Sequence, residues 1–142
     1  MKKADIQRAK DYLKQYARLK EQIQCEQDHI AALRSIVENV TTHLSFTAGR
    51  NPSKGKGNFE STMVDIVVEE RKTEERISRL GELQIAIENL IQQVSDEKQQ
   101  TLLRYRYING MPFEEIIDER EIRPSFAYKL HRLGLLEIAE KI

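Results

Sequence analysis

Near the C-terminal end the chain reads Arg123-Pro-Ser-Phe-Ala-Tyr-Lys-Leu-His-Arg132, with Lys129 and Arg132 three positions apart. On a helix that spacing makes them neighbours on one face, where either can donate to guanine O6 and N7 or to a phosphate. Few other residues suggest chemistry. His29, His43 and His131 are scattered, without the paired spacing of a metal site, and read as surface or partly packed imidazoles. Cys25 is the single cysteine, so there is no internal disulfide and no zinc-ligand spacing, and a reducing, cytoplasmic setting fits. No Ser/His/Asp set, Cys/His pair or carboxylate pair has a catalytic context. The sequence therefore predicts no enzymatic activity, no metal and no cofactor. Gly49-Arg-Asn-Pro-Ser-Lys-Gly-Lys56 is not a nucleotide loop: five residues separate its glycines, and Gly57 stands where Ser or Thr is required.

The elements that must position Lys129 and Arg132 are helical. The chain has 142 residues, 39% hydrophobic and 32% charged, with no Trp, six Gly and three Pro. That is the composition of long helices, and it argues against a barrel, a sandwich or a large α/β enzyme. From Ile6 to Leu44 apolar residues recur at Ala9, Leu13, Tyr16, Ile23, Ile30, Leu33, Val37, Val40 and Leu44, with Lys20 and Gln27 filling missing steps. A second seam runs through Met63, Ile66, Ile77, Leu80, Ile87, Ile91 and Val94, interrupted by Glu70 and Thr73. Gaps of three and four predict coiled-coil-like helices that must bury their stripes against each other or another chain. Between them a Gly/Pro-containing stretch, about 46–60, predicts a mobile loop that reverses the chain. Gly81 permits a bend without requiring a break.

After Val94, Ser95-Asp96-Glu97 offers a cap and an acidic first turn. A short helix with Leu102, Leu103, Tyr105, Tyr107 and Ile108 should stop at Asn109-Gly110, Pro112 should open the next, and Pro124 the last. The expected fold is all-α, a long antiparallel helical hairpin over 1–94 followed by a three-helix helix-turn-helix module over 95–142. No stretch approaches the roughly 18 consecutive apolar residues of a membrane span.

Net charge is zero, from 23 basic and 23 acidic residues, which at face value disfavours nucleic acid. The segments differ. Residues 1–20 carry seven bases and two acids, and 60–98 carry five and ten. Residues 99–142 balance seven against seven, but Arg120, Arg123, Lys129 and Arg132 fall together while acids cluster in 114–121.

Arg104-Tyr105, Gly110, Glu115-Ile116, Ala127, Leu130 and Gly134-Leu135 make residues 103–135 resemble the region-4 helix-turn-helix of sigma-70-type factors. With the Tyr128-Lys-Leu-His-Arg132 run and the long hairpin, the chain is closer still to small phage-encoded regulators of the ArpU and RinA type. That resemblance implies a transcriptional regulator in a bacterial cytoplasm, with double-stranded DNA, RNA polymerase and a second protomer as partners. In such a module the recognition helix turns Ala127, Leu130 and either Leu133 or Gly134 inward. Ser125, Phe126, Tyr128, Lys129 and Arg132 then face outward as base-contact candidates, while Arg104, Arg106 and Arg123 are phosphate-contact candidates. The sequence departs from the pattern at Pro112, which leaves Glu115 without a capping partner, at Ile117 in place of a small residue, and at Glu121 in place of the turn Gly. Glu121 would pay a steric penalty in a left-handed conformation, so a turn of different shape from the family's is expected there.

Two other readings share these elements. A small terminase subunit also joins a helix-turn-helix to helical oligomerisation elements, and a non-DNA module could dock on RNA polymerase or another regulator.

Overall fold

The computed structural model describes residues 2–46 and 52–142, with side chains described outside 40–58. Regular structure among them is helical throughout: α1 (Lys2–Phe46), α2 (Pro52–Gln92), α3 (Glu97–Leu103) continued by a π-helical turn (Arg104–Ile108), α4 (Phe113–Arg120) and α5 (Pro124–Lys141). The fold is all-α. Of the loop expected at about 46–60, residues 47–51 lie outside the described residues; the rest of the expectation is corrected, since α1 still includes Phe46 and α2 is already helical from Pro52, whose fixed φ suits the first turn of a helix. Gly81 does not interrupt α2, and a Cβ there would meet open space.

The chain forms two compact units, one from Met1–Lys20 with Leu80–Ile142 and the other from Glu21–Arg79. The expected boundary at 94/95 does not coincide with them, and the reason lies in how apolar faces are shared. In the first unit Ala9, Leu13 and Tyr16 of α1, Ile87 and Ile91 of α2, Val94, Leu103, Tyr107, and Leu135, Ile138 and Ala139 of α5 form one buried cluster. Leu102, Ile116 and Leu130 form a smaller one, packed by Tyr105, Met111 and Phe113. The segment around α3 is apolar on both faces: Leu103 and Tyr107 join the first cluster, Leu102 and Tyr105 the second. The three C-terminal helices alone would leave the Leu103, Tyr107 and Leu135 face uncovered, so the helix ends at residues 6–16 and 80–94 belong to the same unit.

Close packing and polar locks fix the joint between α2 and α3. A Cβ on Gly134 would lie 2.9 Å from Leu103 Cδ1, so glycine is what lets α5 approach α3. Asp96 occupies the N-cap position with extended backbone but no side-chain cap bond, and Ser95 is committed elsewhere. The Ser95 backbone N–H donates to Glu137 Oε2 at 2.8 Å and its hydroxyl to Oε1 at 2.6 Å. These bonds hold the Glu137 carboxyl below its ordinary range. The expected local cap is thus replaced by a contact from α5. Lys141 Nζ donates to the Gln93 carbonyl at 2.6 Å, and Gln100 Nε2 to that of Val94 at 2.5 Å.

In the second unit α1 and α2 run antiparallel, with residue 26 beside 73 and 76, and residue 34 beside 70. Ile23, Ile30 and Ile66 are buried, as the seam predicts, but Met63 and Ile77 are exposed. The two interruptions are where polar links form. Thr73 is 5% exposed, and its hydroxyl lies 3.1 Å from Glu26 Oε2 and 2.9 Å from the Glu69 carbonyl. Arg76 pairs with Glu26, and Arg34 with Glu70.

Candidate nucleic-acid interface

The helix that carries Lys129 and Arg132 is set by two proline-led starts and one strained turn. Pro112 is the N-cap of α4 in extended conformation, and Pro124 opens α5, where its missing N–H costs nothing. Between them Glu121 is left-handed, φ 52 and ψ 44, and its N–H bonds to the Ile117 carbonyl. The Ile122 N–H reaches the same carbonyl at 3.3 Å. A left-handed residue at the C-terminus closes the last carbonyls of a helix. Glu121 does so at the usual cost for a residue with a Cβ, about 1 kcal/mol.

Burial along α5 separates its faces. Ala127, Leu130, His131, Gly134 and Leu135 are buried, while Arg123, Ser125, Tyr128, Lys129 and Arg132 are exposed. The inward position is Gly134, since Leu133 is 37% exposed. Arg123, Ser125, Phe126 and Lys129 line one open depression, to which Glu121 adds a carboxylate. Arg132 lies one turn further along the Lys129 face.

Two of the outward candidates are partly engaged. Phe126 is 38% exposed and borders a cavity of about 290 Å³ floored by Leu102, Ile116 and Leu130; Lys98 Nζ lies 5.8 Å from its ring centre. Tyr128, at 56% exposure, stacks on Phe113 with ring centres 5.2 Å apart. Among the phosphate candidates, Arg106 is turned to a structural task. Its Nη1 donates to the Met111 carbonyl at 3.3 Å, and its guanidinium lies 5.4 Å from the Phe113 ring centre. Such engagement closes the connection between the π-helical turn and α4. Arg104 is half-buried on that turn, and Arg123 stands exposed at the α5 N-cap.

Sequence patterning offered His131 only as a surface or partly packed imidazole and missed its role; it is buried at the helix interface. Its Nε2 is 2.7 Å from the Tyr107 hydroxyl, and its ring meets Phe113 edge-on with centres 4.7 Å apart. Burial, then the positive charges of Lys10, Arg106 and Lys14, push the imidazole down to about 4. Burial pushes the Tyr107 phenol up to about 12, against the smaller opposing pull of Arg106. Both are therefore neutral at pH 7, and the phenol and the imidazole share one hydrogen bond whose direction follows the imidazole tautomer. The only available signal was that His131 directly follows Leu130, on the flank of the inward face.

The π-helical turn places Tyr107 for this bond. Asn109 N–H bonds to the Arg104 carbonyl at 3.0 Å, five residues back, which widens the helix before Gly110 reverses it at φ 71. Among the described residues no group of three His, Cys, Asp or Glu side chains could hold a metal. No helix among them is long and apolar enough to cross a membrane.

Residues 59–139, more than half of the chain, match the family described as Protein of unknown function (DUF1492). The chain belongs to that family. The matched segment runs from α2 to Ala139 and omits α1, so the family pattern covers both the α3–α5 segment and the α2 residues that share its core. No curated protein and no solved structure matches the chain.

Proposed function

We infer that the chain is a DNA-binding transcriptional regulator that inserts the first half of α5 into the major groove of promoter DNA. The observation that carries this reading is the face of α5 on which Arg123, Ser125, Lys129 and Arg132 are exposed while Ala127, Leu130 and Gly134 are buried against the rest of the fold. A recognition helix must meet both demands at once, being anchored on one side and carrying donors on the other. Lys129 and Arg132 are the leading base contacts, with Ser125 beside them. Phe126 and Tyr128 can add apolar contact from their exposed edges. Arg123 and Arg104 serve the phosphates. Arg106, already bonded to Met111, is the weakest of the phosphate candidates.

The exposed acids of α4, Glu114, Glu115, Asp118 and Glu119, favour an approach in which phosphates meet α5 and avoid α4. Recruitment of RNA polymerase, action in a bacterial cytoplasm and origin in a phage or prophage follow from the resemblance to sigma region 4 and the ArpU and RinA regulators. Because net charge is zero, useful affinity would depend on a second protomer or partner.

The test is duplex binding, by gel shift and anisotropy, to the DNA upstream of the protein's own gene. Lys129→Ala and Arg132→Ala should each cost about 1–3 kcal/mol on the preferred sequence, roughly 5- to 150-fold, with less loss on unrelated DNA. Unchanged binding in both variants would remove α5 as the reading helix. Wild-type protein with no salt-dependent affinity for any duplex would replace this reading with a protein-docking one, and a closed ring of eight or more subunits would favour packaging.

A further inference from the structure

In the second unit α2 meets α1 through Ile66 and Thr73, seven positions apart and both buried. The same helix carries a second stripe. Val64 is 61% exposed, Val67 and Val68 are 45% exposed, and Met63 is 39% exposed. A helix turns about 100° per residue, so Val64 lies roughly 160° and Val67 roughly 100° around the axis from Ile66. These side chains point away from α1, which takes up the Ile66 side and leaves them to water.

The stripe continues in both directions at the spacing of a coiled-coil seam. Glu60, Val64, Val67, Arg71 and Glu74 follow one another by four, three, four and three residues, and all five are exposed. Two valines thus occupy the centre, with an acid one turn before them and a base one turn after. Eleven positions, roughly 16 Å of helix, separate Glu60 from Arg71, too far for the two to pair within one chain. Neither belongs to an ion pair among the described residues, whereas Arg34, Lys72 and Arg76 each do.

We propose that this stripe is the contact between two copies of the chain, with α2 of one protomer antiparallel to α2 of its partner. The order acid, valine, valine, base selects both the occupant and its direction. An antiparallel copy sets Val64 against the partner's Val67, and the same register sets Met63 against the partner's Val68 and Glu60 against the partner's Arg71. Two-fold symmetry makes each of these pairs occur twice. A parallel copy would instead set Glu60 on the partner's Glu60 and Arg71 on the partner's Arg71, like charge on like. The contact is about three turns long, at the small end of specific interfaces, so the dimer is reversible. It stands independently of the reading of α5, and supplies the second protomer on which that reading depends for affinity.

The experiment is sedimentation equilibrium of the whole chain without DNA, from about 1 to about 200 μM, the range in which a contact of this size dissociates. Wild type should pass from monomer to dimer across it. Val64→Gln/Val67→Gln should stay monomeric, while Ile36→Gln, which removes an exposed isoleucine of α1, should dimerise as wild type does. Glu60→Arg and Arg71→Glu should each raise the dissociation constant about five-fold, by placing like charges together at two symmetric sites, and the exchange Glu60→Arg/Arg71→Glu should restore it. Helical circular dichroism confirms that each variant is folded. A monomer throughout, or a dimer that Val64→Gln/Val67→Gln leaves intact, overturns the proposal. An exchange variant no tighter than the single variants overturns the antiparallel pairing. Duplex takes no part in these measurements, so their failure leaves the α5 reading standing, and an absence of duplex binding leaves the dimer standing.

Discussion

The first unit gathers eleven buried residues from α1, α2, the α3 segment and α5 into one cluster, including Leu13, Ile87, Leu103 and Leu135 with essentially no accessible surface. Among the described residues of the second unit, the buried hydrophobics are Ile23, Ile30 and Ile66, while Ile36, Met63, Val64, Val67, Val68 and Ile77 are exposed. Its cross-helix contacts are polar to a greater degree, through Thr73 with Glu26, Arg76 with Glu26 and Arg34 with Glu70. Four segments can enclose a side chain, whereas two helices leave most of each circumference to water. The same heptad pattern therefore has different energetic content in the two places. Where a third and fourth element cover it, it makes a core that orients α5; where none does, it makes a two-helix pairing registered by ions.

The largest effect should come from opening the enclosed cluster. Leu103→Ala is expected to cost about 2–5 kcal/mol, because a fully buried leucine next to Gly134 leaves a cavity its neighbours cannot fill. Ile30→Ala, buried between only two helices in the second unit, should fall at or below the lower end of that range. Urea unfolding followed by helical circular dichroism reads both, and equal losses would erase the distinction between the units.

A smaller effect, of order 1–3 kcal/mol, should appear as pH dependence confined to the first unit. His131 titrates near 6.5 when unfolded and about 4 when folded, so between those values the unfolded chain binds more protons. Stability should then be full above pH 6.5 and decline as pH falls towards 4. Tyr107 acts at the other end: its raised folded value makes stability decline as pH rises from 10 towards 12. His131→Gln, which keeps a hydrogen-bond partner for the phenol, should flatten the acid limb between pH 6.5 and 4. An unaltered limb in that variant would assign the acid sensitivity to other groups.

The smallest effect should come from the surface ion pairs of the second unit. Arg34→Ala and Arg76→Ala should each cost under about 1 kcal/mol, with Arg76 the more sensitive because Glu26 is also bonded to Thr73. Adding salt should shrink both differences. A loss comparable to Leu103→Ala would mean that ions, not burial, hold this chain together.

The C-terminal helices and their breaks were legible in the sequence because they depend on local rules, whereas the start of α2 at Pro52 was hidden by the Gly/Pro composition that read as a loop. Pro112 and Pro124 open α4 and α5, and Gly110 turns the chain at positive φ; at Glu121, where the steric cost pointed to a turn of different shape, the chain keeps the left-handed conformation. The inward and outward faces of α5 were equally legible, since a period of 3.6 residues fixes which side chains share a face. The choice of Gly134 over Leu133 was not, because it depends on how closely Leu103 approaches.

The fate of Ser95, Arg106 and His131 lay beyond the sequence for a related reason. Each has a partner that local spacing does not single out: Glu137 is 42 residues from Ser95, the Phe113 ring approaches Arg106 only after the turn closes, and Tyr107 is 24 residues from His131. By itself the sequence determined an all-α chain, where its C-terminal helices start and stop, and which face of α5 is apolar. The tertiary structure alone decided which apolar faces meet, and which polar side chains are drawn into them, because those outcomes depend on contacts between distant segments that backbone preference and periodicity do not encode.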